Sequence, residues 1–135
     1  MAKKTTKAAT TRKTTARKTA APRASSKDAE NNKGMAIIAY ILFFVPLLTG
    51  DHKKSPFVKF HTNQGTVLFL TWIAWWFVSL ILGFVFRGWF LWAIFSLVGF
   101  AVWVGVIVLL VLGIINAVNG RMKPLPVIGK FTIIK

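Results

Sequence analysis

Two groups of polar side chains are the residues whose types could support chemistry in this largely apolar chain. His61 and Gln64 lie three residues apart. Asn116 and Asn119 have the same spacing, and Arg121 follows them. Residues three apart on a helix share a face, so each group would present its side chains together. An imidazole, carboxamides and a guanidinium can cap helix ends by hydrogen bonding, or bind a polar headgroup or a partner. We expect these residues to form one polar cluster at a membrane surface.

The chain offers few groups for catalysis or for metal binding. It contains no cysteine, two histidines and three acidic residues. Asp51 is the acidic residue of the apolar part of the chain, and it lies beside His52 in a polar turn. Zinc sites use three or four protein ligands, which this set does not supply. A nucleophile paired with a base and a supporting acid is also missing. We therefore expect no enzyme activity, no metal and no cofactor.

Two long apolar segments must position the polar groups. The longer one, 89–117, lies inside an uncharged window of 33 residues, Gly88–Gly120. A helix over that window would be about 50 Å long. A bilayer core is about 30 Å thick and needs about 20 apolar residues. The other segment, 66–86, ends an uncharged stretch of 27 residues. We predict that both segments are transmembrane helices.

A third apolar segment, 34–50, is ambiguous. It contains 17 uncharged residues, between Lys33 and Asp51. This is the lower limit of length for a span. Pro46 would bend or break its last turns, because its ring removes a backbone donor and clashes with the preceding turn. The segment either spans the membrane or is re-entrant, and the sequence leaves both alternatives open.

The distribution of basic residues bears on that choice. If 34–50 spans and the N-terminus is inside, then Lys53, Lys54, Lys59 and the four C-terminal basic residues fall outside. If 34–50 is re-entrant, all of them stay inside and Arg87 falls outside. Cytoplasmic loops carry an excess of Lys and Arg, so the count favours the second arrangement. The apolar character of 34–50 favours the first.

Residues 1–33 form a different kind of segment, rich in Lys, Arg, Thr and Ala. They hold ten of the 18 Lys and Arg residues and contain no aromatic residue, Ile, Leu or Val. Such a segment cannot bury enough apolar area to offset chain entropy, so we predict disorder. It either fixes topology alone, or binds anionic lipid headgroups or nucleic-acid phosphates by charge. The candidate binding residues are Lys3, Lys4, Lys7, Arg12, Lys13, Arg17, Lys18 and Arg23.

Together these observations predict an all-α integral membrane protein with two to three transmembrane helices. We divide it into a disordered tail, 1–33, and a membrane domain, 34–135. The bilayer is the expected partner, with anionic lipid or nucleic acid as candidates for the tail, and no small-molecule substrate is indicated. We expect a bacterial cytoplasmic membrane with the tail in the cytoplasm, since Lys and Arg concentrate on that side.

Pairs of small residues four positions apart predict where the helices approach closely, because association in lipid depends on close backbone contact. The short connection at Arg87 makes 66–86 and 89–117 antiparallel neighbours, so these faces would pack within the chain. Gly105 in particular is expected in that contact. The same faces suit a homo-oligomer. The pairs are Ser79 with Gly83, Ala101 with Gly105, and Gly113 with Ala117.

The polar groups also stand within a longer pattern. It reads Ser55-Pro56-Phe57-Val58-x-Phe60-His61-x-Asn63-Gln64-Gly65, then two apolar helices, then Asn116-Ala117-x-Asn119-Gly120. Over residues 35–135 the chain resembles small bacterial membrane proteins grouped with a chloroplast import component, the twenty-kilodalton Tic-translocon type. The resemblance implies an α-helical membrane protein. It also implies an alternative function, as a subunit of a protein-import or transport assembly formed by oligomerisation.

Overall fold

The computed structural model describes residues 24–86 and 88–135, and in these ranges all regular structure is helical. Two long helices form an antiparallel hairpin, and three shorter helices precede them. The predicted all-α membrane fold is thereby confirmed. The helices are α1 (Ser26–Ile41), α2 (Phe44–Thr49), α3 (Asp51–Lys54), α4 (Pro56–Val85) and α5 (Trp89–Val118).

The long helix α4 begins ten residues before the predicted segment 66–86, and its start is determined by local capping. The Ser55 hydroxyl accepts a hydrogen bond from the Val58 amide at 3.1 Å. Pro56 occupies the first turn, where its missing N–H is not needed and its fixed φ suits the helix. The other long helix, α5, ends at Val118, and Gly120 follows it with a φ of +64°.

Two helices of the described chain are long and apolar enough to cross a membrane, Pro56–Val85 and Phe90–Val118. Beyond Leu68, α4 exposes large apolar side chains, and most of α5 does the same. Phe84 is 79% exposed and Leu97 is 71% exposed. Lipid rather than water is the medium that suits such surfaces, since a helix this apolar on every side must be surrounded by apolar material.

The first apolar segment, 34–50, does not form one continuous helix. Its first part is the end of α1, the chain breaks at Leu42 and Phe43, and α2 follows. Pro46 accounts for the break, because a proline excludes the helical bond to the residue four positions before it, here Leu42. The Leu42 carbonyl instead accepts from the Val45 amide at 2.9 Å.

The chain then returns along α2 and α3 to the start of α4, close to where α1 began. Phe57 at the start of α4 donates its amide hydrogen to the Asp28 carboxylate at 3.2 Å. Asp28 lies in the first turn of α1. Residues 34–50 therefore leave and re-approach the same end of the hairpin.

The boundary predicted at residue 33 falls inside α1, which begins at Ser26. The Ser25 hydroxyl caps this start by accepting from the Asp28 amide at 3.2 Å. Ala29 is 4% exposed and belongs to the core, so these turns are fixed by packing as well. Residues 26–33 are helical although the polar composition of 1–33 predicts disorder, because composition does not reveal the cap. The division into tail and membrane domain otherwise stays a prediction.

The core lies where α1 packs against the first part of α4 and the last part of α5. Ala36 and Ala39 of α1 are fully buried. Gly65 lies directly against the Ala39 carbonyl, and a Cβ on Gly65 would collide with it. A Cβ on Gly113 would collide with the Tyr40 ring. Small residues therefore allow α1 to dock in the groove between the long helices.

Of the six small residues predicted for helix packing, some are buried in helix contacts and others are exposed. Ala117 is fully buried and Gly113 faces Tyr40 of α1. A Cβ on Gly83 or Gly105 would meet nothing within 4 Å, so neither is closely packed, although Gly83 and Ser79 line an open cleft between α4 and α5. Ser79 and Ala101 are also exposed. The expectation that Gly105 lies in the contact between the long helices is corrected, whereas Gly99 of α5 does face α4, since a Cβ there would lie 3.7 Å from the Trp75 indole.

Candidate functional site

A buried polar cluster joins α1 to α4 near the start of α4. Tyr40 comes from α1, and His61 and Gln64 lie three apart on the facing side of α4. The Tyr40 hydroxyl is 3.0 Å from His61 Nδ1 and donates to Gln64 Oε1 at 3.1 Å. The three side chains are 6%, 0% and 2% exposed. The predicted shared face of His61 and Gln64 is thus directed at α1.

The single hydroxyl proton of Tyr40 determines the direction of the hydrogen bonds. With that proton donated to Gln64, the contact with His61 requires Nδ1–H to donate to the Tyr40 oxygen. A neutral His61 then carries a lone pair at Nε2. His61 Nε2, Thr62 Oγ1 and Gln64 Nε2 have no hydrogen-bond partner within the described ranges. The cluster therefore retains one buried acceptor and one buried amide donor.

The His61 ring is enclosed by aromatic edges as well as by polar partners. Its centroid lies 4.6 Å from Phe57, 5.2 Å from Phe60 and 5.7 Å from Tyr40, at steep interplanar angles. Edge-to-face pairs of this kind stabilise by about 0.5–1.5 kcal/mol beyond their buried area. The Arg121 main chain lies beside the same ring, although it makes no hydrogen bond of good geometry with Nε2. The surroundings hold the imidazole in a fixed position at the junction of α1 and α4.

The second predicted group lies at the same end of the hairpin but does not join this cluster through its side chains. Asn119 donates to the Ile115 carbonyl of its own helix at 2.8 Å. Asn116 reaches the Lys123 carbonyl at 3.5 Å. The Arg121 amide donates to the Asn116 carbonyl at 2.8 Å, and its side chain is exposed. These residues shape the turn after α5 instead of completing a shared site.

Asn63 has a role that its sequence context does not indicate. Its Nδ2 donates to the Phe131 carbonyl at 2.7 Å. Its Oδ1 accepts from the Ile133 amide at 2.6 Å and from the Ile134 amide at 3.0 Å. One buried carboxamide thus fastens the last residues of the chain to α4. The sequence contains no signal for this contact, since its partners are main-chain groups about 70 positions away.

We expect Asn63→Ala to release residues 131–135 while the helices stay folded. Three hydrogen bonds are lost, each contributing about 1 kcal/mol. Limited trypsin digestion in detergent measures the release, through faster cleavage after Lys130. Asn119→Ala is the matched control, because Asn119 bonds only within its own helix among the described residues. Equal cleavage rates in the two variants would contradict the assignment.

The end of the hairpin where α4 starts and α5 stops carries nearly all the charge of the described chain. We call it the basic end. Three acidic residues, Asp28, Glu30 and Asp51, also lie there. Arg87, in the connection between α4 and α5, is outside the described residues. The basic residues of this end are Lys27, Lys33, Lys53, Lys54, Lys59, Arg121, Lys123, Lys130 and Lys135.

The predicted binding residues of the tail all lie outside the described residues, but the tail joins the structure at the basic end, where α1 starts. In the part of the chain that the structure describes, no group of three or more His, Cys, Asp or Glu residues could hold a metal ion. The tail residues concerned are Lys3, Lys4, Lys7, Arg12, Lys13, Arg17, Lys18 and Arg23.

Comparison with protein families gives a match over most of this structure. The model of the MamF/MmsF family, described as the magnetosome magnetite crystal formation protein family, matches residues 31–132. The chain belongs to the MamF/MmsF family. The matched residues include α2 to α5 and most of α1, and they exclude the first thirty residues.

A relative that also matches most of the chain is a membrane protein. The UPF0132 membrane protein of Methanocaldococcus jannaschii is 34% identical over 93 residues, which are 69% of this chain and 71% of the relative. No solved structure matches the chain. Membership in MamF/MmsF and the two apolar helices together establish a membrane protein.

The resemblance to the chloroplast import component is wrong. The family that matches is MamF/MmsF, and the curated relative is an archaeal membrane protein. The motif residues that suggested import have structural partners in the fold. His61 and Gln64 bind Tyr40, and Asn63 binds the C-terminal residues. Such short polar patterns indicate helix packing and do not separate one membrane family from another.

Proposed function

We propose that this MamF/MmsF family member is a non-enzymatic protein of the cytoplasmic membrane that presents a polyanion-binding surface to the cytoplasm. The observation that carries the proposal is the charge of the basic end. Apart from Arg87, every Lys and Arg of the chain either lies at that end or belongs to residues 1–23, which join it. Cytoplasmic segments next to spans are enriched in these residues, which supports the orientation.

In this proposal α4 and α5 cross the bilayer, and α1 and α2 enter it from the cytoplasmic side without crossing. The break at Leu42 and the return of the chain to the start of α4 support re-entry. Ile41 and Leu48 are 67% and 81% exposed, so the tip of this excursion is apolar on its outer surface. Bilayer contact would cover those side chains.

The non-enzymatic part of the proposal is supported by how the polar groups are used. Tyr40, His61 and Gln64 bind one another across two helices. Among the described residues, no acid is hydrogen-bonded to His61, so a relay that orients and polarises its imidazole is not assembled. The cluster acts in this proposal as the junction that fixes α1 against α4.

Charge alone would give the tail its affinity. Ten basic side chains occur within residues 1–33 without any aromatic residue that could stack on bases. Their shared target is phosphate, whether in lipid headgroups or in a nucleic-acid backbone. Self-association stays a prediction; Gly105, where a Cβ would meet nothing within 4 Å, would let a second copy approach α5 closely. The import alternative rested on the resemblance that the family match corrects, and we do not propose it.

A salt titration of the full chain in zwitterionic nanodiscs tests polyanion binding. If about five of the eight cations of residues 1–23 contact phosphate at once, log affinity for duplex DNA should fall with log salt with a slope of about −4 to −5. Vesicles of anionic lipid at matched charge density form the second arm. Equal affinity for DNA and for anionic vesicles identifies phosphate in general as the target. A strong preference for one of them identifies either nucleic acid or lipid as the target.

Substitutions in the tail separate charge from sequence. Replacing Arg12, Lys13, Arg17 and Lys18 by Gln should make the slope shallower by up to about 3–4 and weaken binding to every DNA sequence. A tail shuffled at fixed composition is the matched control and should bind as the natural chain does. A salt-independent affinity, or one that survives the four substitutions, would show that the tail does not bind through charge.

A further inference from the structure

The chain after α5 forms an ordered segment that is held against the core in two ways, by buried apolar side chains and by main-chain hydrogen bonds to Asn63. Leu125 and Ile128 are 2% and 6% exposed and belong to the hydrophobic core. Asn63 fastens Phe131, Ile133 and Ile134 through main-chain hydrogen bonds. We call residues 121–135 the C-terminal segment. Its backbone is fixed, so the direction of its exposed side chains is determined by the fold.

One turn of this segment holds a β-branched residue in a costly conformation. Val127 has a φ of +68°, the only positive value among the described non-glycine residues. The Ile128 amide donates across it to the Pro126 carbonyl at 2.8 Å. A hydrogen bond between residues two apart with this φ is a γ-turn of the rare and strained form. A valine with positive φ is an outlier, because its branched Cβ crowds the backbone.

The strained turn presents Val127 outward, with 84% of its surface exposed. Phe131 and Ile133 of the same segment are 62% and 51% exposed. Exposure of these three apolar side chains to water is unfavourable, and a glycine at position 127 would relieve the strain of the turn. Burial of these side chains in an apolar medium would offset the strain of the turn and remove the cost of exposing them to water.

Cations flank and separate these apolar side chains, and the segment starts directly after a span. Lys123, Lys130 and Lys135 are all exposed. The turn at Gly120 separates the segment from the last helical residue of α5, Val118, by two residues. The segment therefore starts at the level where a spanning α5 would leave the bilayer. Apolar side chains interspersed with lysines fit the boundary between acyl chains and anionic headgroups.

We propose that the C-terminal segment docks on the anionic surface of the chain's own bilayer, with Val127, Phe131 and Ile133 inserted below the headgroups. The three lysines then lie beside lipid phosphates. This goes beyond the proposed function, which concerns the tail, and it uses a different part of the chain. Asn63 acts as a positioning residue, because it holds the main chain of the segment in the required place.

Spin-label depth measurements on the full chain test this docking. The chain has no cysteine, so single cysteines can be labelled cleanly. Thr132→Cys keeps all three apolar side chains and reports their depth. Ser26→Cys marks water, and Leu97→Cys, on the exposed face of α5, marks lipid. The readout in nanodiscs is accessibility to oxygen relative to a water-soluble nickel chelate.

In nanodiscs containing phosphatidylglycerol, the label at Thr132 should give a ratio between those of Ser26 and Leu97. Replacing Val127 and Phe131 by Ser, or the three lysines by Gln, should shift that ratio toward the Ser26 value. In nanodiscs of phosphatidylcholine the label should be shallower. Removal of residues 1–23 should change nothing, and this separates the docking from the proposed role of the tail.

Two results would overturn the docking proposal. One is a Thr132 label as accessible to the nickel chelate as the Ser26 label in phosphatidylglycerol nanodiscs. The other is an unchanged depth after the Val127→Ser and Phe131→Ser substitutions. Helical circular dichroism of each variant confirms that α4 and α5 remain folded, so a shift cannot be attributed to unfolding.

Discussion

Gly65→Ala is expected to separate α1 from α4 and to destabilise the folded protein by about 3 kcal/mol, near the upper end of overpacking effects. The added Cβ would lie 2.9 Å from the Ala39 carbonyl carbon and closer still to its oxygen. The obstacle is main chain, so no side-chain rotation can relieve it. SDS-induced unfolding in mixed micelles, followed by circular dichroism, measures the loss.

Gly83→Ala and Gly105→Ala are the matched controls, since both glycines are helical and a Cβ at either meets nothing within 4 Å. Alanine is favoured over glycine within a helix by about 1 kcal/mol. These two variants should therefore be as stable as the natural chain or more so. If Gly65→Ala unfolds at the same SDS fraction as the controls, the docking of α1 against α4 is incorrect.

Tyr40→Phe should be the most costly single change among the polar residues of the cluster. It removes the only partner that His61 Nδ1 and Gln64 Oε1 have within the described chain. Each buried polar group left without a partner costs about 1–3 kcal/mol. We expect a loss in that range per orphaned group, measured by the same SDS titration.

The triple variant Tyr40→Phe, His61→Leu, Gln64→Leu tests whether the loss comes from orphaned polar groups. Replacing all the partners by apolar side chains removes the desolvation cost along with the hydrogen bonds. The triple variant should therefore be more stable than Tyr40→Phe alone. Additive losses across the three substitutions would argue against a shared cluster and for independent contacts.

The apolar pattern of the sequence contains most of the information about the two long helices. The predicted segment 89–117 corresponds to α5, Trp89–Val118. The spacing of His61 and Gln64 predicts helical turns before residue 66, but α4 starts still earlier, at Pro56, and the polar residues of its first turns face protein and not lipid. The apolar pattern of the sequence does not extend over these turns. The Ser55-Pro56 pair is the local signal that marks them.

The docking of α1 could not be derived from the sequence. His61 and Gln64 share a face by their spacing, but nothing in their types selects Tyr40 as the partner. Gly65 was not among the predicted packing residues, because it has no small residue four positions away on the spanning face. Gly105 was predicted and is open. Small residues show where another helix can approach closely. Only the fold shows which helix packs there.

The polar motif residues were a poor guide to the family. They form helix caps, a buried junction and a main-chain clamp, which many helical membrane proteins need. The family was identified by a match over residues 31–132 as a whole. That match does not include the first thirty residues, so the tail's proposed role depends on its charge alone.

The central claim is that the chain crosses the membrane twice and keeps its basic end in the cytoplasm. Single cysteines at Ser26, Lys54 and Gly88, labelled in intact cells with a membrane-impermeant maleimide, test it most directly. We predict labelling at Gly88 and protection at Ser26 and Lys54 until the cells are opened. Labelling at Lys54 with protection at Gly88 would mean that 34–50 spans the membrane, and labelling at Ser26 would place the basic tail outside. Either result would contradict the account.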